Sequence, residues 1–190
     1  MLTHLMESIP ALPMTVSLSD FVPFLLIPFI GWGVRHYLRR RNDWVPLKRW
    51  TFSIGISAYF LTETARSFYR PFIYANGIND FHIADTIGNS AGTVTAIFMI
   101  ITLSNTGKVK PYQLMLMTFA GLIGYELLSA SANHPVDVWD LLATALFSIL
   151  SWVVYYGILE PSFAQGPTQG GREFNAKAPR RKDAEENFSV

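Results

Sequence analysis

The sequence predicts an all-α fold, a polytopic transmembrane helical bundle with about five spans. Half of the 190 residues are hydrophobic and only 15% are charged, a composition typical of membrane proteins. The apolar residues cluster in continuous blocks, and a helix needs about 20 predominantly apolar residues to cross a bilayer. Five blocks near that length follow one another along the chain: 21–37, 50–68, 83–103, 112–131 and 138–159.

The first two blocks are the least regular. Pro23 and Pro28 interrupt the first, and Glu63 and Arg66 lie near the end of the second. Kinked or shortened spans are tolerated where neighbouring helices satisfy the freed backbone groups. The alternative is a soluble bundle with buried helices, but helices of soluble bundles are amphipathic rather than continuously apolar.

The basic residues predict the orientation. They cluster in the first connection, in the third connection and after the fifth block: Arg35, Arg39, Arg40, Arg41, Lys48, Arg49, Lys108, Lys110, Arg172, Lys177, Arg180, Arg181 and Lys182. Cytoplasmic loops carry an excess of Lys and Arg, so these regions are expected in the cytoplasm. The N-terminus is then outside and the C-terminus inside.

The expected organisation has three parts. Residues 1–20 form an outer N-terminal segment, 21–160 the five-helix membrane domain and 161–190 a polar, basic cytoplasmic tail. Residues 166–190 are rich in Gly, Pro and charge and have little to bury, so alone they are expected to be disordered. We expect this tail to bind a protein partner, or its basic run 180–182 to touch anionic lipid headgroups.

Several chemistries have no support in the sequence. The chain has no cysteine, which excludes disulfides, thiolate metal sites and a cysteine nucleophile. It has no glycine loop for binding phosphate and no serine in a nucleophile elbow. Lys108 and Lys110 are too few for nucleic-acid binding. No cofactor is expected, and the expected partners are membrane lipids and other proteins of a membrane complex.

Polar residues recur at one end of four of the five predicted helices. Within a helix, residues spaced i, i+3 and i+7 share one face, and three helices repeat that spacing: Glu63, Arg66 and Arg70; His82, Asp85 and Asn89; and Asp137, Asp140 and Thr144. Glu126 has a similar depth on the fourth helix. Because charges in a membrane usually face the bundle interior, pair, or mark a site, these faces are expected to meet. Nearby small residues are expected to allow close helix approach: Gly88, Ala91, Gly92, Gly121, Gly124, Ala143 and Ala145.

Three interpretations of this cluster remain open. In the structural one, Arg66 or Arg70 pairs with a carboxylate of Glu126, Asp137 or Asp140, and Asp137 caps the fifth helix. In the second, the carboxylates act as bases or, with the two arginines, bind a cationic or phosphate-bearing headgroup. In the third, imidazoles and carboxylates hold zinc or manganese, and that ligand set is His82, Asp85, His134, Asp137 and Asp140.

The order of these residues resembles the VanZ-like family of small bacterial membrane proteins, over about residues 83–158. That family shows Asp-x3-His, then a Glu in a following helix, then Asp-x2-Asp-Leu-Leu-Ala-Asn. The corresponding segments here are "DTIGN", "GYELL" and "DVWDLLAT", which align Asp85, Asn89, Glu126, Asp137, Asp140 and Thr144. Asn89 replaces the family's His and cannot exchange a proton near neutral pH. Thr144 replaces its Asn.

The resemblance implies a multi-pass protein of the bacterial inner membrane. Our leading hypothesis is a non-catalytic subunit or scaffold of a larger membrane assembly. The alternative is a VanZ-like envelope protein that binds or processes a lipid-linked or headgroup substrate. Under that alternative the residues divide into two groups: Glu126, Asp140, Asp137 and Asp85 as catalytic carboxylates, and Arg66, Arg70, Asn89 and Thr144 as substrate-binding residues.

Overall fold

The computed structural model describes residues 17–104, 107–129 and 137–164, and every element in these residues is helical. The helices are α1 (Val22–Arg40), α2 (Pro46–Thr64), α3 (Arg70–Ala75), α4 (Ile83–Leu103), α5 (Pro111–Ser129), α6 (Val138–Val154) and α7 (Glu160–Ala164). A 3-10 turn, Leu18–Phe21, precedes α1, and two π-helical turns lie at Ala65–Tyr69 and Tyr155–Leu159. The predicted all-α class is confirmed.

Three helical segments are long and apolar enough to cross a membrane: Leu18–Arg40, Ile83–Leu103 and Val138–Phe163. They correspond to the first, third and fifth predicted spans. Helices α2 and α5 coincide with the other two blocks, and each has 19 residues. They are more polar, with Lys48, Arg49 and Glu63 in α2 and Glu126 in α5. The membrane character is therefore clear in three helices.

The helical region extends beyond both predicted domain boundaries. At its start, the Ser17 side chain accepts a hydrogen bond from the Ser19 amide, and Asp20 accepts one from the Ser17 amide, which is a capping box. At its end, the helix runs through Phe163 to Ala164. Most of the expected outer segment, 1–16, and the tail 166–190 lie outside the described residues.

The two π-helical turns share a cause in the sequence. Each ends one residue before an X-Pro pair, Arg70-Pro71 and Glu160-Pro161. Proline has no amide hydrogen, and its ring clashes with the carbonyl four residues earlier. A turn widened to i→i+5 bonding removes that clash. In the first turn the Arg70 amide donates to the Ala65 carbonyl, and in the second the Glu160 amide donates to the Tyr155 carbonyl. The helices therefore continue through prolines that would otherwise break them.

Helix α4 is the centre of the bundle and packs against α2, α5 and α6. The residues that form the hydrophobic core are Ile97, Phe98, Ile101, Met115, Tyr155 and Leu159. All of them lie toward one end of the bundle, the end where α4 finishes and α5 begins. We call it the basic end, because Arg39 and Arg40 finish α1 there. The opposite end is called the polar end and is where α4 and α6 begin.

The closest helix approach at a glycine is between α2 and α4. A Cβ added at Gly55 would lie 3.2 Å from both the side-chain Cγ and Sδ of Met99. At Gly88, Gly92, Gly121 and Gly124 an added Cβ would meet no atom of the described residues within 4 Å, so within that part of the chain these four glycines do not bring helices close together as expected. Among the other small residues named, Ala91 is buried.

Helix α1 packs along the flank of α2 through aromatic side chains. The Phe24 ring lies 5.3 Å from that of Phe60 and 6.1 Å from that of Phe68. Much of its remaining apolar surface is exposed, with Leu25 at 63% and Phe29 at 70%. Exposed apolar side chains of this size are what a bilayer or a partner protein would cover.

Candidate functional site

The polar end gathers residues from four helices because the helices run antiparallel. The end of α2 and its π-helical turn lead into α3, which carries Arg70 and Tyr74. The first turns of α4 and α6 present Asp85 and Asp140, and Glu126 lies near the end of α5. The sequence prediction that polar residues of separate helices share one level is thus reproduced for these helices.

Arg70, Tyr74 and Asp85 form a hydrogen-bonded triangle. The Arg70 Nη2 atom lies 3.2 Å from Asp85 Oδ1 and its Nε donates to the Tyr74 hydroxyl at 3.2 Å. The Tyr74 hydroxyl donates to the same Asp85 oxygen. The Arg70 guanidinium carbon also lies 5.4 Å from the centre of the Tyr74 ring, within cation–π range. The hydrogen bond to Tyr74 raises the pKa of Arg70 above its ordinary value, so the guanidinium stays charged.

His82 joins α4 to α6 at the edge of this triangle. Its Nδ1 atom lies 3.5 Å from Asp85 Oδ2, and its ring stacks on that of Trp139, with centroids 6.2 Å apart and planes 12° apart. Phe81 and His82 both have left-handed backbone, with φ of 56° and 65°. Such conformations are costly for residues with side chains, and they cluster at functional sites.

Asp140 is the most enclosed carboxylate of the cluster. The Asn89 side chain on α4 is one of its polar neighbours. The Oδ1 atom of Asp140 is buried and has no hydrogen-bond partner among the described residues. A buried acceptor without a donor is costly unless something else supplies one. This oxygen is therefore the atom of the cluster that most needs a ligand donor.

The charges around Asp140 are mixed. Asp137 and Glu126 repel it and each other, whereas Arg70 attracts it. Asp137 is also the N-cap of α6, where its side chain accepts from the Trp139 amide at 2.9 Å. The arrangement has an excess of negative charge, which suits a ligand that brings a cation or several hydroxyl donors.

The structure brings most, though not all, of the predicted site residues together. Arg66 is exposed, and its positive charge acts on the Tyr59 hydroxyl in opposition to the negative charge of Glu63. Among the described residues, no polar contact joins Arg66 to the cluster. Thr144 is buried, with 3% exposure, one turn below Asp140. His134 lies outside the described residues. The arginine ion pair is with Asp85, where pairing with Glu126, Asp137 or Asp140 had been expected.

No group of three or more His, Asp or Glu side chains within 17–104, 107–129 and 137–164 is placed to hold a metal ion. His82 and Asp85 adjoin each other. The other histidine of the metal interpretation, His134, is not among the described residues.

Sequence reasoning missed a buried polar network at the basic end. The Lys48 ammonium lies 2.5 Å from Asp43 Oδ2, and their side chains are only 7% and 13% exposed. It also donates to the carbonyl of Ser104, the C-cap of α4. Beside it, the Thr102 hydroxyl donates to that of Thr51 at 2.9 Å.

A signal for this network was present in the sequence. Lys48, Thr51 and Gly55 have the same i, i+3, i+7 spacing that identified the polar end, and all three are buried. The spacing places Lys48 on the face that packs against α4. Lys48 was expected to be one of the cytoplasmic charges of the first connection, so its burial between α2 and α4 was not predicted.

The fold and the polar end together describe a helical protein with membrane-compatible helices and a charged, partly enclosed cluster at one end. No protein family, curated protein or solved structure matches the chain.

Proposed function

We propose that this chain is a multi-pass protein of the bacterial inner membrane that binds a lipid headgroup at its polar end. In this proposal all five predicted spans cross the membrane, the polar end faces outward and the basic end faces the cytoplasm. The ligand is the headgroup of an envelope lipid or of a lipid-linked intermediate. Its phosphate lies near Arg70, and its amine or hydroxyl groups reach Asp140.

The observation that carries the proposal is the buried Oδ1 atom of Asp140, which has no hydrogen-bond partner among the described residues. A ligand amine or hydroxyl would supply the missing donor, and binding would recover the desolvation cost of that oxygen. Arg70 is half-exposed, at 47% for its side chain, and a guanidinium has five N–H donors. It therefore has donors to spare for phosphate beyond its contacts with Asp85 and Tyr74.

The resemblance to VanZ-like proteins supports the same site, because five of its six aligned residues belong to this cluster. It also suggests how binding could extend to reaction. Neighbouring carboxylates raise one another's proton affinity, which prepares one of them to act as a general base. Glu126 and Asp140 would hold that role, while Asn89, in place of the family's His, would orient Asp140.

The experiment compares Asp140→Asn with Asp137→Asn in purified full-length protein. Each substitution removes one carboxylate from the start of α6, Asp140 from its first turn and Asp137 from its N-cap. Asn also serves as an N-cap, so Asp137→Asn keeps its structural role. We expect lipid that co-purifies with the protein, measured by mass spectrometry, to be lost in Asp140→Asn and retained in Asp137→Asn. Equal lipid content in both variants and in the unmodified protein would contradict the proposal.

A second candidate function is a non-catalytic subunit of a larger membrane assembly. The specific observation that favours it is α1, which exposes Leu25 and Phe29 and rests mainly on α2. A partner protein would cover this face, and the tail 166–190 offers it a second attachment. Purification in mild detergent followed by mass spectrometry distinguishes the two, since a lone chain without partner proteins rejects the subunit function.

A further inference from the structure

A groove between α1 and α2 lies at the basic end of the bundle, away from the polar cluster. Its volume is about 400 Å³, and its walls include Gly31, Trp32, Arg35, Trp44, Arg49 and Phe52. The groove exists because glycine at position 31 leaves space beside Phe52, whose ring atom Cζ would lie 3.9 Å from an added Cβ. Gly31 thus leaves the space on α1, and the aromatic rings of Trp32, Trp44 and Phe52 line it.

The groove is positively charged. Arg35 enters from α1 and Arg49 from α2, and both are exposed. Neither guanidinium has a hydrogen bond or ion pair with any other described residue, and the described residues that line the groove include no acidic side chain. The nearest carboxylate in sequence, Asp43, binds Lys48. Two guanidinium groups without counter-ions are suited to an anion, and the fork of N–H donors fits phosphate best.

The aromatic residues indicate where the groove lies relative to the membrane surface. The Trp44 and Phe52 rings lie 6.4 Å apart, and Trp32 stacks on His36 at 5.4 Å. Tryptophan concentrates at the level of the lipid headgroups. Toward the other end of α1 the surface is apolar, with Leu25 and Phe29 exposed. A ligand here would therefore have its charge at headgroup level and an apolar part along α1.

We propose that this groove binds the phosphate group of an anionic phospholipid from the leaflet at the basic end. Arg35 and Arg49 bind the phosphate, Trp32 and Trp44 contact the glycerol region, and an acyl chain lies past Gly31 and Pro28 along α1. The site is independent of the proposed headgroup site at the polar end, since the two share no residue. Each arginine near a membrane surface strengthens the attraction to anionic lipid about fivefold.

Native mass spectrometry of the full-length protein in detergent tests this site. The protein is mixed with equal amounts of phosphatidylglycerol and phosphatidylcholine, and bound lipids are counted. We expect retained phosphatidylglycerol in preference to phosphatidylcholine. The double variant Arg35→Gln, Arg49→Gln should reduce that preference more than tenfold, because both lipids carry a phosphate and the two guanidinium charges are what favours the lipid with net negative charge.

The matched control is Arg39→Gln, Arg40→Gln, which removes the same charge from the end of α1 without touching the groove; it should keep the preference. Gly31→Leu keeps both arginines but fills the groove, so it should also lose the preference while its unfolding temperature is maintained. The proposal is overturned if Arg39→Gln, Arg40→Gln loses as much of the preference for phosphatidylglycerol as Arg35→Gln, Arg49→Gln does, or if Gly31→Leu keeps that preference. It is also overturned if inorganic phosphate at equimolar concentration displaces phosphatidylglycerol completely.

Discussion

Individual polar residues have opposite surroundings at the two ends of this bundle. At the basic end, Lys48 is buried with its partners already in place, Asp43 and the Ser104 carbonyl. At the polar end, Asp140 is buried with one oxygen still without a donor among the described residues. A satisfied buried charge contributes to structure, whereas an unsatisfied acceptor suggests a ligand. The ammonium at the end of α4 also offsets the partial negative charge of that helix terminus.

Lys48→Met should destabilise the protein strongly. It leaves the partly buried Asp43 carboxylate and Ser104 carbonyl without this donor, and removing one partner of a buried ion pair costs roughly 3–5 kcal/mol. Thermal unfolding in detergent, followed by tryptophan fluorescence, measures the loss. Lys108→Met is the control, because Lys108 is an exposed lysine of the next basic connection and its replacement should leave the unfolding temperature unchanged.

The double variant Asp43→Leu, Lys48→Met tests whether the stability lost in Lys48→Met comes from the unpaired charge of Asp43 or from the changed side-chain shape. Replacing both partners of a buried pair by apolar residues is often nearly neutral, so the double variant should recover much of the stability lost in Lys48→Met. If Lys48→Met unfolds at the same temperature as Lys108→Met, the Lys48 ammonium is not buried in this network.

At the scale of elements, the contact between α2 and α4 organises the bundle. Gly55 lets α2 approach Met99 of α4, and the hydroxyls of Thr51 and Thr102 join the same two helices. Small residues and hydroxyl pairs are the usual means by which helices associate where lipid removes the hydrophobic driving force. This contact holds Lys48 under α4 and so connects the helix interface to the ion pair.

Gly55→Leu should separate α2 from α4 and lower the unfolding free energy by about 1–3 kcal/mol, the usual cost of overpacking. The control is Gly33→Leu in α1, where an added Cβ would meet nothing within 4 Å. Adding Met99→Ala to Gly55→Leu makes room and should restore stability. Equal unfolding temperatures for the two leucine variants would contradict the close approach.

The sequence predicts elements better than it predicts their contacts. Continuous apolar blocks located α4 and the start of α6 well, because a membrane imposes one length on every span. The i, i+3, i+7 spacing also identified Asp85 and Asp140 as members of one cluster. It did not identify Asp85 as the partner of Arg70, since that pair depends on α3, a helix created by the π-helical turn before Pro71.

At the scale of the whole molecule, the number of spans determines which surface each site faces. Three segments have the length and composition of spans, and α2 and α5 pack against the central α4 among them. With five spans the two ends of the bundle lie on opposite membrane surfaces. With only three, α2 and α5 would lie on one surface each, and their contacts with α4 along its length would be lost.

Single cysteines test the five-span arrangement, because the natural chain has none. Val45, Ile78 and Val109 are exposed apolar residues of successive connections. We expect Ile78→Cys to react with a membrane-impermeant maleimide in intact cells, and Val45→Cys and Val109→Cys to react only after permeabilisation. Ile78→Cys and Val45→Cys labelled from the same side would reject five spans.

The widened turns before Pro71 and Pro161 also determine how the chain length can vary. Each accommodates one extra residue without ending its helix. In an ordinary α-helix one added residue rotates everything downstream by about 100°, whereas a widened turn absorbs that residue and keeps the orientation of the chain after it. Deleting a single residue from Ala65–Tyr69 would therefore return the turn to ordinary α-helical winding and leave Arg70 facing Asp85. Length variants at these two places would preserve which side chains face one another.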